Sequence, residues 1–164
     1  MVLGKAGLVV LAIGLSVLSV KGLENTPQPI GYSHKKHVED AGLVCADCHR
    51  NVETKERASI PNIDVCGDCH DDTEVENPEE VRVAGYVTRA ERIPWRQVHL
   101  VPDYAYFSHR RHVKLGQLEC SLCHGDVARM EDPFLGPYRP IVMKWCTDCH
   151  EERAVTNDCY ACHR

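Results

Sequence analysis

Ser33-His34-Lys35-Lys36-His37-Val38-Glu39-Asp40-Ala41-Gly42-Leu43-Val44-Cys45-Ala46-Asp47-Cys48-His49 decides how the rest of the chain is read. The stretch closes on Cys-x-x-Cys-His. The same pattern returns at Cys66-Gly67-Asp68-Cys69-His70, Cys120-Ser121-Leu122-Cys123-His124, Cys146-Thr147-Asp148-Cys149-His150 and Cys159-Tyr160-Ala161-Cys162-His163. Five copies consume all ten cysteines of the chain. Each copy is a c-type haem attachment signature: the two thiols form thioethers to the haem vinyl groups, and the adjacent histidine ligates the iron from one face.

The histidines carry the reading further. There are ten, and His49, His70, His124, His150 and His163 belong to the motifs. The other five, His34, His37, His99, His109 and His112, equal the number of irons. A six-coordinate iron needs one further axial ligand, so the simplest expectation is five covalently bound haems c, all bis-histidine. A closed iron moves electrons and offers no open position to a substrate. Zinc sites also use Cys-x-x-Cys, but two pairs to a tetrahedral metal, and five pairs do not divide that way. A disulfide framework would leave the paired histidines unexplained. A redox Cys-x-x-Cys of thioredoxin type is a single motif on a βαβ unit, and no such unit is visible.

The first 24 residues differ from the rest. Lys5 precedes fifteen uncharged residues, 6–20, and Lys21 follows them. Fifteen is short for a membrane span, but with residues 1–4 and a snorkelling Lys5 the segment reaches twenty, within the roughly 17–25 residues a span needs. There is no Ala-x-Ala cleavage site; Val17-Leu18-Ser19 is a weak substitute. The expectation is an uncleaved N-terminal membrane anchor. It places the protein at the cytoplasmic (inner) membrane with the haem domain periplasmic, because this kind of haem attachment is made outside the cytoplasm.

The chain from position 25 to position 164 must enclose all five haems, and the whole sequence has two Phe and two Trp. That is too little for an ordinary core around each cofactor. The expected fold is mainly α with much irregular structure, in which the haems are much of the core and stability depends on their incorporation. The formal charge of −5 gives no support to nucleic-acid binding.

The opening stretch has a counterpart later in the chain, Ser108-His109-Arg110-Arg111-His112-Val113 through Cys120 to His124, in register throughout. Eight of its seventeen positions are identical, and both middle positions stay basic. This reads as a duplicated haem-binding unit. In His-x-x-His the two imidazoles share one helix face and can enter two adjacent haems. The organisation that follows is an anchor over 1–24, a dihaem unit over 25–80, a haem-free connector over 81–98 and a trihaem unit over 99–164. In the connector, Val81-Arg82-Val83 and Gly85-Tyr86-Val87 alternate as a short strand pair would. The acidic run over 71–80 reads as a solvated loop, with a docking surface for a basic partner as the alternative. His99 is the lone spare histidine, and the ligand count is one short without it. Met143, three residues before Cys146, is the less favoured distal alternative, and Met130 is weaker still. Trp145 and Tyr160 are placed to pack against haem edges. Lys35, Lys36, Arg110 and Arg111 either pair with haem propionates or form a solvated face.

Tyr-Ser-His-Lys-Lys-His and Phe-Ser-His-Arg-Arg-His, each followed by Cys-x-x-Cys-His, resemble the class III multihaem cytochromes c over nearly all of 31–164. More narrowly the chain is similar to the membrane-anchored pentahaem subunit of alternative complex III, and to the multihaem subunit of the related menaquinone reductase complex. The pieces that carry this are Ile60-Pro61 ahead of Val65-Cys66-Gly67-Asp68-Cys69-His70, Trp95 with Val98-His99, Val101-Pro102-Asp103-Tyr104-Ala105-Tyr106-Phe107, Met143-Lys144-Trp145-Cys146, and Asp158 before the last motif. The resemblance implies an electron wire between an iron–sulfur subunit of molybdoenzyme type and a soluble periplasmic cytochrome, with polytopic subunits handling quinone. It also implies that the first histidine of each pair ligates the haem of the next motif, His34 for Cys45/Cys48 and His109 for Cys120/Cys123. His37, His99 and His112 are left for the other three in an unassigned order.

Four functions compete. The favoured one is a non-catalytic electron-transfer subunit of a membrane quinone oxidoreductase. A freestanding anchored quinol dehydrogenase would need an open or unusual axial position, and the full histidine count opposes it. A multihaem nitrite or hydroxylamine enzyme commonly replaces a proximal histidine by lysine, and no Cys-x-x-Cys-Lys occurs. A filament-forming cytochrome is disfavoured by a retained anchor.

Overall fold

The computed structural model describes residues 27–72 and 74–163. The expected anchor over 1–24 lies outside them, and among the described residues no helix is long and apolar enough to cross a membrane.

The architecture is mainly helical, in short pieces joined by irregular chain. The motif-bearing helices are Cys45–Cys48, Ile63–Gly67, Cys120–His124, Met143–Glu152 and Cys159–Cys162. Their shortness follows from the motif. The histidine N–H bonds back to the first cysteine carbonyl, His49 to Cys45 at 2.9 Å, His70 to Cys66 at 2.9 Å and His163 to Cys159 at 2.8 Å. One such i→i−4 bond closes a single α-turn. Both sulfurs then lie on one face and the imidazole follows directly. Asp47 helps to start its turn by accepting from the Val44 N–H at 2.8 Å, and Asp158 does the same for Tyr160 N–H at 3.0 Å.

The two His-x-x-His segments become wide helical turns of π type, Lys36–Asp40 and Arg110–Leu115, each beginning just after the first histidine. Their signature bonds run from i+5 back to i, Ala41 N–H to Lys36 O at 3.0 Å and Gly116 N–H to Arg111 O at 2.9 Å. Such turns concentrate at functional sites. The duplication extends beyond the sequence identities. Ser33 and Ser108 hydroxyls accept from the N–H of Lys36 and Arg111 at 3.3 and 3.4 Å. Ser33 and Ser108 carbonyls accept from His37 and His112 Nδ1 at 2.7 and 2.8 Å. Gly42 and Gln117, which correspond in the repeat, both take positive φ, 71° and 51°. Two units with different loop sequences therefore share one local solution.

The connector corrects the strand expectation. Residues 81–83 and 85–87 lie inside an α-helix, Pro78–Thr88. The period-2 pattern is short, and the start signal outweighs it: Asn77 Oδ1 accepts from the Glu79 N–H at 2.9 Å, and Pro78 stands at the first helical position. The acidic run is corrected at its end for the same reason. Glu79 and Glu80 form the first turn of this helix, where the dipole favours carboxylates. Glu79 also accepts from the Gly31 N–H at 2.7 Å and pairs with Arg82 at 3.0 Å. Among the described residues no extended strand forms; the one bridge among them is antiparallel, Ala105 with His163, beside a Tyr106 N–H to Cys162 O bond of 2.6 Å.

The polypeptide's own core is small. Among the described residues the buried hydrophobic side chains are Ile30, Ile63, Ala84 and Ile93. The three isoleucines pack with Val83, Tyr86, Val87, Trp95 and Cys66, so the helix Pro78–Thr88 is pinned to the second motif. Burying four side chains stabilises by about 1.5–3 kcal/mol each at most, small against the roughly 1–2 kcal/mol per residue that ordering the backbone costs. The halves are stitched mainly by polar contacts. Gln28 donates to the carbonyls of Arg96 and Phe134, both at 3.0 Å, and accepts from the Arg96 N–H at 3.0 Å. Lys35 N–H reaches Met130 O at 3.0 Å. His109 and Arg110 N–H reach the carbonyls of Glu56 and Lys55 at 2.9 and 3.1 Å.

Candidate haem sites

The local frame presents the imidazoles in a common way. Nδ1 of His37, His49, His109, His112, His150 and His163 faces a backbone carbonyl, those of Ser33, Ser59, Glu56, Ser108, Thr156 and Tyr104, at 2.7, 2.7, 2.9, 2.8, 2.7 and 3.3 Å. A carbonyl only accepts, so Nδ1 carries the proton and Nε2 keeps its lone pair. That is the tautomer and orientation of a metal-ligating histidine. The backbone bends to supply some of these acceptors. Ser59 takes φ 70° to offer its carbonyl to His49, and Ala154 takes φ 52° just ahead of the Thr156 carbonyl that meets His150. Left-handed non-glycine residues are uncommon and concentrate where function fixes geometry.

The rings meet in pairs across long sequence separations. His37 faces His70 with centroids 6.0 Å apart, His112 faces His150 at 6.1 Å, and His109 faces His124 at 6.3 Å with planes only 4° apart. Two imidazoles on opposite faces of one metal, each about 2 Å from it through a nitrogen, have centres about 6 Å apart. The three pairs fit that spacing. His34 maps onto His109 and His49 onto His124 by the repeat, and the charge of His49 is the largest neighbour effect on His34.

Aromatic side chains pack on the second histidine of each His-x-x-His pair. Tyr32 stacks on His37 at 4.4 Å and Phe107 on His112 at 4.6 Å, while both meet the first histidine edge-on at 4.8 Å. The sequence reading gives Tyr32 and Phe107 no role at the site, although both stand immediately before the serine of the repeat. Burial keeps several imidazoles neutral. His34 falls to about 4 through burial, then His49 and His37; His124 falls to about 4 through burial, then His99, His109 and His49. His99 and His109 are also lowered, burial first. His34 Nδ1 is buried without a partner.

All ten cysteines are free thiols, and neighbouring motifs are close enough to influence one another. Cys66 is raised by burial and then by Cys48, Cys120 by burial and then by Cys45, Cys123 by burial and then by Cys149, and Cys146 by burial and then by Cys162. Numbered along the chain, the second motif thus adjoins the first, the first adjoins the third, the third the fourth and the fourth the fifth.

Other side chains singled out from the sequence are placed as follows. Lys35 is committed to Glu131 at 2.7 Å. Met143 is 63% exposed, and the Met130 carbonyl is spent on Lys35 N–H and Ser33 Oγ. Trp145 lies 5.2 Å beneath the Arg139 guanidinium, and Tyr160 stands out at 89% exposure. His99 turns toward His124, with ring centroids 4.6 Å apart, and toward Phe134 at 5.5 Å.

A family model described as cytochrome c7 and related cytochrome c matches residues 30–85 and 105–164, which is most of the chain. The chain belongs to this family. It is a multihaem c-type cytochrome, and haem c is its cofactor. The cytochrome match excludes the end of the connector and includes all five motifs. The chain is also 35% identical over 161 residues to the protein named menaquinone reductase, multiheme cytochrome c subunit, of Nitratidesulfovibrio vulgaris strain Hildenborough; the match covers 84% of this chain and 77% of that one. The residues described above fit haem: reduced thiols on helical turns, and imidazole rings paired about 6 Å apart. Bound haem supplies one-electron exchange at iron. The polypeptide fixes the tautomer and ring orientation of the ligands and surrounds them with neutral, half-buried groups, the means by which a protein sets redox potential.

Proposed function

We propose that this chain is a pentahaem, non-catalytic electron-transfer subunit of a membrane quinone oxidoreductase. It would hold five haems c at Cys45/Cys48, Cys66/Cys69, Cys120/Cys123, Cys146/Cys149 and Cys159/Cys162. It would relay electrons between an iron–sulfur subunit of molybdoenzyme type and a soluble periplasmic cytochrome, with polytopic quinone-binding subunits beside it. Residues 1–24 would anchor it in the cytoplasmic membrane, with the haem domain on the periplasmic side.

The observation that carries this reading is the file of motifs, second–first–third–fourth–fifth, with histidine pairs bridging between elements. A continuous file serves transport from one end to the other. The curated relative named as a menaquinone reductase subunit supplies the class of partner. The test is purification of the native complex in mild detergent, with mass spectrometry of what comes with the haem protein. Iron–sulfur and polytopic subunits in fixed ratio are expected. A haem protein that purifies alone, and oxidises quinol unaided, would overturn the proposal in favour of a freestanding quinol dehydrogenase.

A further inference from the structure

Ten histidines for five irons suggest five closed sites, but the geometry distributes them unevenly. Three pairs face across about 6 Å, His37–His70, His109–His124 and His112–His150, and the repeat adds His34–His49. Eight histidines are then used, and His99 and His163 remain. Among the described residues no ring contact joins the two. The His163 ring stacks on Tyr104, centroids 6.0 Å apart, with Nδ1 at the Tyr104 carbonyl; among the described residues no other histidine ring is paired with it. His99 instead meets His124 nearly perpendicularly, its Nε2 3.4 Å from His124 Nδ1.

We infer that the haem at Cys159/Cys162 has no histidine on its distal face and takes a small exogenous ligand there, while His99 is a positioning residue for His124. His124 Nδ1 lies 3.4 Å from His99 Nε2, where His49, His150 and His163 meet a backbone carbonyl; with its Nε2 on iron, His124 would donate its Nδ1–H to His99. A ring acceptor in that place holds the His124 plane and raises its basicity as a ligand. The fifth motif adjoins the fourth, where Cys162 acts on Cys146. An exchangeable iron there leaves the bis-histidine sites intact. The ligand class is a weak oxygen donor in the ferric state, water above all, and a neutral diatomic such as carbon monoxide in the ferrous state.

This inference rests on the five-haem reading, and a count of haems per chain separates the two. The holoprotein, full length, is reduced and titrated with carbon monoxide, with total haem measured as the pyridine complex; the ferric protein is examined by electron paramagnetic resonance. The expected result is five haems, one carbon monoxide bound per five, and one high-spin ferric site. His99→Ala should leave carbon monoxide at one per chain and raise the potential of one bis-histidine haem, since a proximal histidine loses its acceptor. Cys159→Ser with Cys162→Ser should remove carbon monoxide binding and leave four low-spin haems. Five haems that are all low-spin and inert to carbon monoxide would overturn the inference. So would a methionine–iron charge-transfer band, or a second carbon monoxide in His99→Ala. The wild-type titration decides the matter even if the double variant fails to mature.

Discussion

The imidazole is the unit on which this molecule turns. Nδ1 is occupied by a carbonyl at six of ten histidines, so the chain chooses the tautomer before any metal arrives. Replacing His37 by Ala should convert one haem, that at Cys66/Cys69, from six-coordinate low-spin to high-spin, visible as a new high-spin ferric resonance. An unchanged spectrum would sink the His37–His70 pairing. Protons act on the same groups. His34 and His124 have their folded values lowered to about 4 against an ordinary value of 6.5. Neutral imidazole is the form the fold holds, so their contribution is present above pH 6.5 and is lost as pH falls through 4. Iron ligation acts in the same direction, because metal and proton compete for the nitrogen. Unfolding by denaturant between about pH 7 and 4 should therefore show stability falling with acid; stability that rose over that range would contradict the assignment.

At the scale of elements, each helix is short because its task is short. A Cys-x-x-Cys-His turn needs one i→i−4 bond and no more. Two helices are longer, Met143–Glu152 and Pro78–Thr88, and the second carries no motif: it covers Ile63 and Ile93. Its cap is testable. Asn77→Ala removes the acceptor for Glu79 N–H and should cost about 1 kcal/mol, read from urea unfolding; no loss would mean the helix is held by the isoleucine contacts alone. Gly125 is a second point of constraint. It follows His124 with φ 73°, and a Cβ there would lie 2.6 Å from the Tyr138 ring. Gly125→Ala should destabilise by more than ~1 kcal/mol, since both backbone and contact are unsuited to it. A well-behaved variant with wild-type stability would show that the turn rearranges freely. These elements are legible in the sequence only in part. The motif turns and the His-x-x-His turns can be read, because bond-closing residues and ligands are adjacent in sequence. The connector helix reads as strands, because a brief alternation carries less information than the cap and proline that precede it.

For the whole molecule, four buried hydrophobic side chains among the described residues are too few to hold so much irregular chain. Cofactor must complete the interior, so expression without haem-attachment machinery should yield a chain that lacks cooperative unfolding and is rapidly proteolysed. A cooperative transition in haem-free protein would show that the polypeptide core suffices. The sequence by itself determined the haem chemistry, the helical character and the duplicated unit. Each of these is written in residues within a few positions of one another: two thiols and an imidazole on one turn, two imidazoles three apart, and the same pattern again in the second unit. Only the tertiary structure decided which ring meets which. His37 and His70 stand in separate segments of the chain, as do His112 and His150, with no periodicity linking them. The count of ten histidines allows five equal pairs, while in space the His99 ring meets His124 and the His163 ring stacks on Tyr104. The reason is physical: axial pairing is a relation through space across a haem, and chain order carries no record of it until the intervening loops have folded.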